Sequence, residues 1–206
     1  MILRSALSSL FFLFASTFWG QTTSKSPLSF NGGFIGGASL SQVHGDGIGG
    51  FNKAGFHSGV VVEISRENGM LQLGVVYNQK GSRRPPNPTI GDYDTWAYKF
   101  TYIDLPVVMH YEYNGLQFMI GLQPSYLIQG QENFFGAYTP TTLPLNEWDL
   151  SGVFGARMPY GDKSHLYMKF SQSIVAICPA PDSPITVWDN KMMNMTLELG
   201  TAILIR

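Results

Sequence analysis

Few residues in this chain have the types and spacing that chemistry needs. The four histidines, His44, His57, His110 and His165, have no second histidine or cysteine at metal-ligand spacing. The segment HGDGIGG at 44–50 has the outline of a calcium or phosphate loop. It lacks the further carboxylates of the first and the following lysine of the second, and reads as a flexible loop. Asp104, His57 and His110 could enter a Ser/His/Asp hydrolase only if they shared an accessible face, and the pattern below turns all three inward. The single cysteine, Cys178, has no partner for an intramolecular disulfide. No residue is assigned a catalytic, cofactor-binding or metal-binding role.

What remains is a set of charges embedded in apolar sequence: Glu63, Asp104, Glu112, Arg157, Lys169 and Glu198, with His110 beside them. Each falls on the polar side of a segment that alternates with period two, the signature of a half-buried strand. The stretch at 102–128 shows this most plainly. Ile103, Leu105, Val107, Met109, Tyr111 and Tyr113 alternate with Asp104, His110 and Glu112, and a second run follows after Asn114-Gly115. Asn-Gly tolerates the positive φ angles of a two-residue hairpin turn. Such a loop pairs Tyr113 with Leu116, Glu112 with Gln117 and Asp104 with Ser125, so polar residues meet polar residues, as cross-strand partners must. Pro106 and Pro124 then fall at nearly one height, which predicts a local bulge or a weakened rung.

The same period predicts eight strands, near residues 28–42, 55–64, 71–79, 102–113, 116–128, 148–158, 165–174 and 192–205. The connections at 43–53, 80–98, 130–147 and 178–190 are long, and those at 65–69, 114–115 and 160–164 are short. An even strand count with long loops at one end and short turns at the other is the anatomy of an outer-membrane barrel. The fold expected is therefore all-β, an eight-stranded antiparallel up-and-down transmembrane β-barrel over residues 28–206. Residues 1–20 read as a signal peptide: Arg4 precedes an apolar run too short to anchor in a bilayer. A short periplasmic segment, 21–27, follows.

Composition agrees. Charged residues are 13 % of the 206 and aromatics 14 %, a charge content about half that of ordinary soluble proteins. The formal net charge of −1 offers no basic stripe for nucleic acid. Tyr111 and Tyr113 flank one short turn, Tyr160 and Tyr167 bracket another, and Trp96, Trp148 and Trp188 lie at long-loop ends, positions suited to membrane–water interfaces. If the apolar faces meet lipid, an eight-strand bore is just wide enough for side chains to fill. Glu63, Glu112, Arg157 and Lys169 should cluster toward the short-turn end, with Arg157 and Lys169 as partners of the carboxylates. A polar ion pathway through the same lumen is the second reading, and a lipid-modifying barrel enzyme the third.

Four segments extend this reading. YNQKGS at 77–82, YIDLPVVMHYEY at 102–113, GLQPSYLIQG at 121–130 and GDGIGGFNKAGFHSGV at 45–60 resemble the PorT-like outer-membrane β-barrel family of Bacteroidota. The resemblance spans nearly all of the chain after the expected signal. It implies an outer-membrane barrel without enzymatic activity or cofactor, in contact with outer-membrane lipid. It does not imply one role: some members are associated with type IX secretion, and most have no assigned function. A protein partner in the envelope is suggested instead by the filled lumen and by loops such as GSRRPPNPTIGDYDTWAY at 81–98. The resemblance defines no functional residues to carry over, and Asp104-Leu105 replaces the usual Glu-Ile pair.

Overall fold

Alternation decides which side of a strand each residue takes; hydrogen bonding decides which strands are neighbours. Both are seen in a computed structural model, which describes residues 27–66, 69–90, 95–134, 136–179 and 191–205. The expected signal peptide, most of the segment after it, and Trp188 lie outside these residues. The strands are β1 (Ser29–His44), β2 (Lys53–Arg66), β3 (Gly69–Arg84), β4 (Trp96–Asp104), β5 (Val107–Tyr113), β6 (Leu116–Asn133), β7 (Thr139–Pro140), β8 (Trp148–Pro159), β9 (Ser164–Ser173), β10 (Cys178–Pro179) and β11 (Lys191–Ile205). Every pairing is antiparallel. β1 pairs β2, β2 pairs β3, and β3 pairs both β4 and β5, which in turn both pair β6. The sheet continues through β8, β9 and β11, and β11 returns to β1, from Gly32 opposite Ile205 to His44 opposite Met193. The sheet has closed on itself. β7 and β10 are two-residue additions to β6 and β11 at the long-loop end.

The register at Asn114-Gly115 is the expected one: Tyr113 faces Leu116, Glu112 faces Gln117, and Asp104 faces Ser125. Asn114 and Gly115 have φ of 53° and 77°, the conformation that this turn requires. The prolines divide one wall into β4 and β5. The rung between them is rerouted rather than lost, because Gly74 N–H donates to the Pro106 carbonyl at 3.1 Å and Leu105 N–H to that of Pro124 at 2.7 Å. A bulge between Thr101 and Tyr102 shifts the register on β6. Beyond it, β3 and β6 run further than alternation suggested, to Arg84 and Asn133. Lys80 thereby joins the wall instead of starting a loop.

The two faces of the closed sheet invert the usual distribution of polarity. Ile120 is 68 % exposed and Phe30 64 %, while Glu63, Asp104 and Glu198 are 0 % exposed. A continuous apolar exterior around a charged interior is incompatible with water as the surrounding solvent. Apolar side chains also enter the lumen in two layers. One, around Ile35, Val61, Val76, Val108, Met119 and Val153, occupies the short-turn half. The other, of Val43, Phe100, Tyr102, Ile177, Cys178 and Met192, closes the long-loop end, with Leu143 and Leu145 of the β6–β8 connection packed against it.

Room for bulky lumen groups comes from inward glycines. Gly37 and Gly200 face one another across β1 and β11. A Cβ on Gly37 would lie 2.1 Å from the Leu199 carbonyl oxygen, and one on Gly200 would lie 2.7 Å from the Tyr167 hydroxyl. Small beside large is how a narrow barrel fills its bore. Gly200→Val should accordingly lower stability by about 1–3 kcal/mol through overpacking. The temperature at which folded protein converts to its slower-migrating unfolded form on a cold detergent gel measures this; an unchanged temperature would contradict it.

Candidate functional site

The charged lumen gathers polar side chains of the described residues away from solvent. Its central network draws one or two side chains from each of several walls, all from the inward set of their strand. Lys80 Nζ of β3 lies 2.9 Å from Asp104 Oδ1 of β4 and donates to Ser125 Oγ of β6 at 3.2 Å. Lys169 Nζ of β9 lies 2.8 Å from Glu198 Oε2 of β11. Two amides join these ion pairs. Asn78 Nδ2 donates to Asp104 Oδ2 at 2.8 Å and to Glu198 Oε1 at 2.9 Å. Gln123 donates to Asp104 Oδ2 at 2.8 Å and accepts from Lys169 at 3.0 Å. His57 Nε2 lies 3.8 Å from Glu198 and hydrogen-bonds the Tyr167 hydroxyl. Each ion therefore has a counter-ion and at least one further hydrogen bond, the condition under which a buried pair offsets its desolvation cost.

A second pair lies nearer the short-turn end. The Arg157 guanidinium of β8 forks onto both oxygens of Glu63 on β2, with Nη2 3.2 Å from Oε2, and its Nε donates to Gln117. His110 Nε2 is 2.7 Å from Gln72 Oε1. Glu112 takes no part in either group. It is exposed beside the Asn114-Gly115 turn, where water solvates it and Gln117 donates to it at 3.2 Å. Toward the long-loop end, Asp149 of β8 accepts from Ser173 Oγ at 2.9 Å and from Asn194 Nδ2 at 3.1 Å.

Of the residues expected in the lumen, Glu63, Asp104, His110, Arg157, Lys169 and Glu198 all point inward and are buried. Sequence reasoning missed Lys80 and Asp149, although both continue the polar side of their strands. Tyr167 is no interfacial tyrosine: it is 8 % exposed and faces the lumen under Gly200, because its parity in β9 matches that of Lys169. A water-wide channel would leave its lining accessible, yet His57 and Lys80 are 1 % exposed and Asp104 and Glu198 0 %. A small cavity of about 30 Å³, bordered by Gln72, Arg157, Tyr167 and Lys169, has room for roughly one water. The glycine-rich loop at 44–50 is held by its own carboxylate. Asp46 Oδ1 accepts from Ile48 N–H at 2.7 Å and Oδ2 from the Ser82 hydroxyl, and burial raises the Asp46 carboxyl above its ordinary pKa. Among the described residues no three His, Cys, Asp or Glu side chains converge on a metal position.

The architecture has a counterpart among solved structures. Neisserial surface protein A (NspA) superposes with a TM-score of 0.53 at 12 % identity, over 86 % of this chain and 99 % of that one. Ail, the attachment invasion locus protein of Yersinia pestis, gives a TM-score of 0.45 at 13 % identity over the same shares. No curated protein matches the sequence. The family model described as "Outer membrane protein beta-barrel domain" matches residues 17–177, and the chain belongs to that family.

Proposed function

We propose that the protein is a non-enzymatic, eight-stranded up-and-down transmembrane barrel of the outer membrane, exported by the signal peptide at 1–20. Its lumen is sealed by its own side chains, and its role in the cell envelope is structural or docking. Counting β4 and β5 as one wall, the closed circuit has eight stations, and the short turns, the start of β1 and the end of β11 share one rim. In this reading that rim is periplasmic and the long loops face outward. The observation that carries it is the inverted polarity: an apolar exterior suited to lipid around an ionic core that water does not reach. Such a lumen gives the protein a rigid shaft with nothing to conduct or convert. Function then falls to the loops and turns, which can hold an envelope partner. The PorT-like resemblance makes a type IX secretion assembly the first partner to look for.

The network also predicts an asymmetry. Lys80→Met leaves the Asp104 carboxylate buried without its cation and should cost about 3–5 kcal/mol. Adding Asp104→Asn removes the stranded charge and should recover much of that loss. Unfolding in detergent micelles reads both, and a double variant no more stable than the single one would contradict the assigned pairing. In planar bilayers the refolded protein should give no conductance steps; discrete openings would favour the pore reading instead. Gentle cross-linking at native expression, followed by detergent extraction, should recover a constant envelope partner. A barrel that is always recovered alone would defeat the docking role.

A further inference from the structure

The lumen charges do not cancel. Lys80, Lys169 and Arg157 are matched by Asp104, Glu198 and Glu63; of the other buried charges, Lys53 and Glu132 lie toward the long-loop rim, and the remaining carboxylate is Asp149. It is 2 % exposed, and no Lys, Arg or His nitrogen of the described residues lies within ion-pair distance of it. Ser173 and Asn194 hydrogen-bond its Oδ2, while its Oδ1 has no partner. Two more buried oxygens nearby are also left unpartnered, Oδ1 of Asn194 and Oγ1 of Thr196. Asn194 and Thr196 are alternate residues on the inward face of β11, and Ser173 ties Asn194 to Asp149, accepting from Asn194 N–H at 3.0 Å. Lower in the bore the inward positions carry Arg157, Lys169, Tyr167 and Met119. Here they carry the smaller Ser41, opposite Thr196, and Ser151, opposite Ser173, with Lys53 on the other side of Ser41.

An uncompensated carboxylate in a sealed, low-dielectric bore is costly. The three atoms named are oxygens, and they bring one formal charge. Zinc would want nitrogen or sulfur ligands, and calcium a larger set of carboxylates. We infer that Asp149, Asn194 and Thr196 bind a monovalent alkali cation, sodium or potassium, which supplies the missing positive charge between the central network and the apolar layer of Tyr102, Ile177 and Met192.

The test uses the refolded mature protein in detergent micelles. Its thermal unfolding is followed at one pH and one ionic strength in sodium, potassium or choline chloride. The expected result is a midpoint that rises with sodium or potassium in a saturable way and not with choline. Asp149→Asn should abolish that dependence and be at least as stable as the parent in choline. Should that variant not refold, Thr196→Val removes one ligand without touching the charge, and should shift the half-saturating concentration upward several-fold. Equal midpoints in all three salts would overturn the inference, leaving water as the partner of these oxygens. A midpoint insensitive to cation but rising as pH falls would also overturn it, by showing a proton on Asp149.

Discussion

A strand that crosses hydrocarbon has no water to satisfy its amide and carbonyl groups, so each must find a neighbouring strand, and the sheet must have no edge. The return of β11 to β1 meets that requirement, and the rest of the molecule is arranged to keep it met. Where proline removes an amide from the ladder, the carbonyls of Pro106 and Pro124 accept from Gly74 and Leu105, so the circuit continues past the break. Where β6 carries an extra residue, a bulge absorbs it near the long-loop rim.

Closure at this circumference dictates the interior. The bore is too narrow for bulk water, so any charge within it must be answered by another side chain. Some answers come from the neighbouring wall, as Lys80 does for Asp104 and Lys169 for Glu198, and others from across the lumen. Arg157 reaches from β8 to Glu63 on β2, and Asn78 from β3 to Glu198 on β11. These bonds tie non-adjacent walls together, which the backbone ladder cannot do. The glycine at Gly200 gives Tyr167 its place among them. The polar network is thus a set of cross-braces inside a cylinder whose outer surface contributes only contact with lipid.

Period-two alternation made the strands and their faces legible, and the Asn114-Gly115 turn fixed one register outright. Alternation says nothing of height, however, and partners across a lumen depend on the stagger of all the walls together. Hence Glu63 and Arg157 could both be turned inward from sequence without their pairing being visible. Lys80 was hidden by Gly81-Ser82, a loop-like sequence that stays in the ladder because β4 lies alongside it. Glu112 has inward parity but lies at the rim, where parity no longer implies burial. Asp149 falls on the polar side of its strand with Ser151 and Arg157, but it stands at the strand's start beside a long loop, where parity alone does not establish burial.

Family membership, closed pairing and inverted polarity converge on one physical claim: acyl chains wet the outward side chains, and the inward charges are sealed from water. The most direct measurement places a fluorescent label on a single cysteine at Ile120, in a Cys178→Ser background reconstituted into liposomes. Brominated acyl chains should quench that label strongly, and aqueous iodide should not reach it. Quenching of Ile120 by iodide with no response to brominated lipid, in a protein that stays monomeric without detergent, would contradict the account.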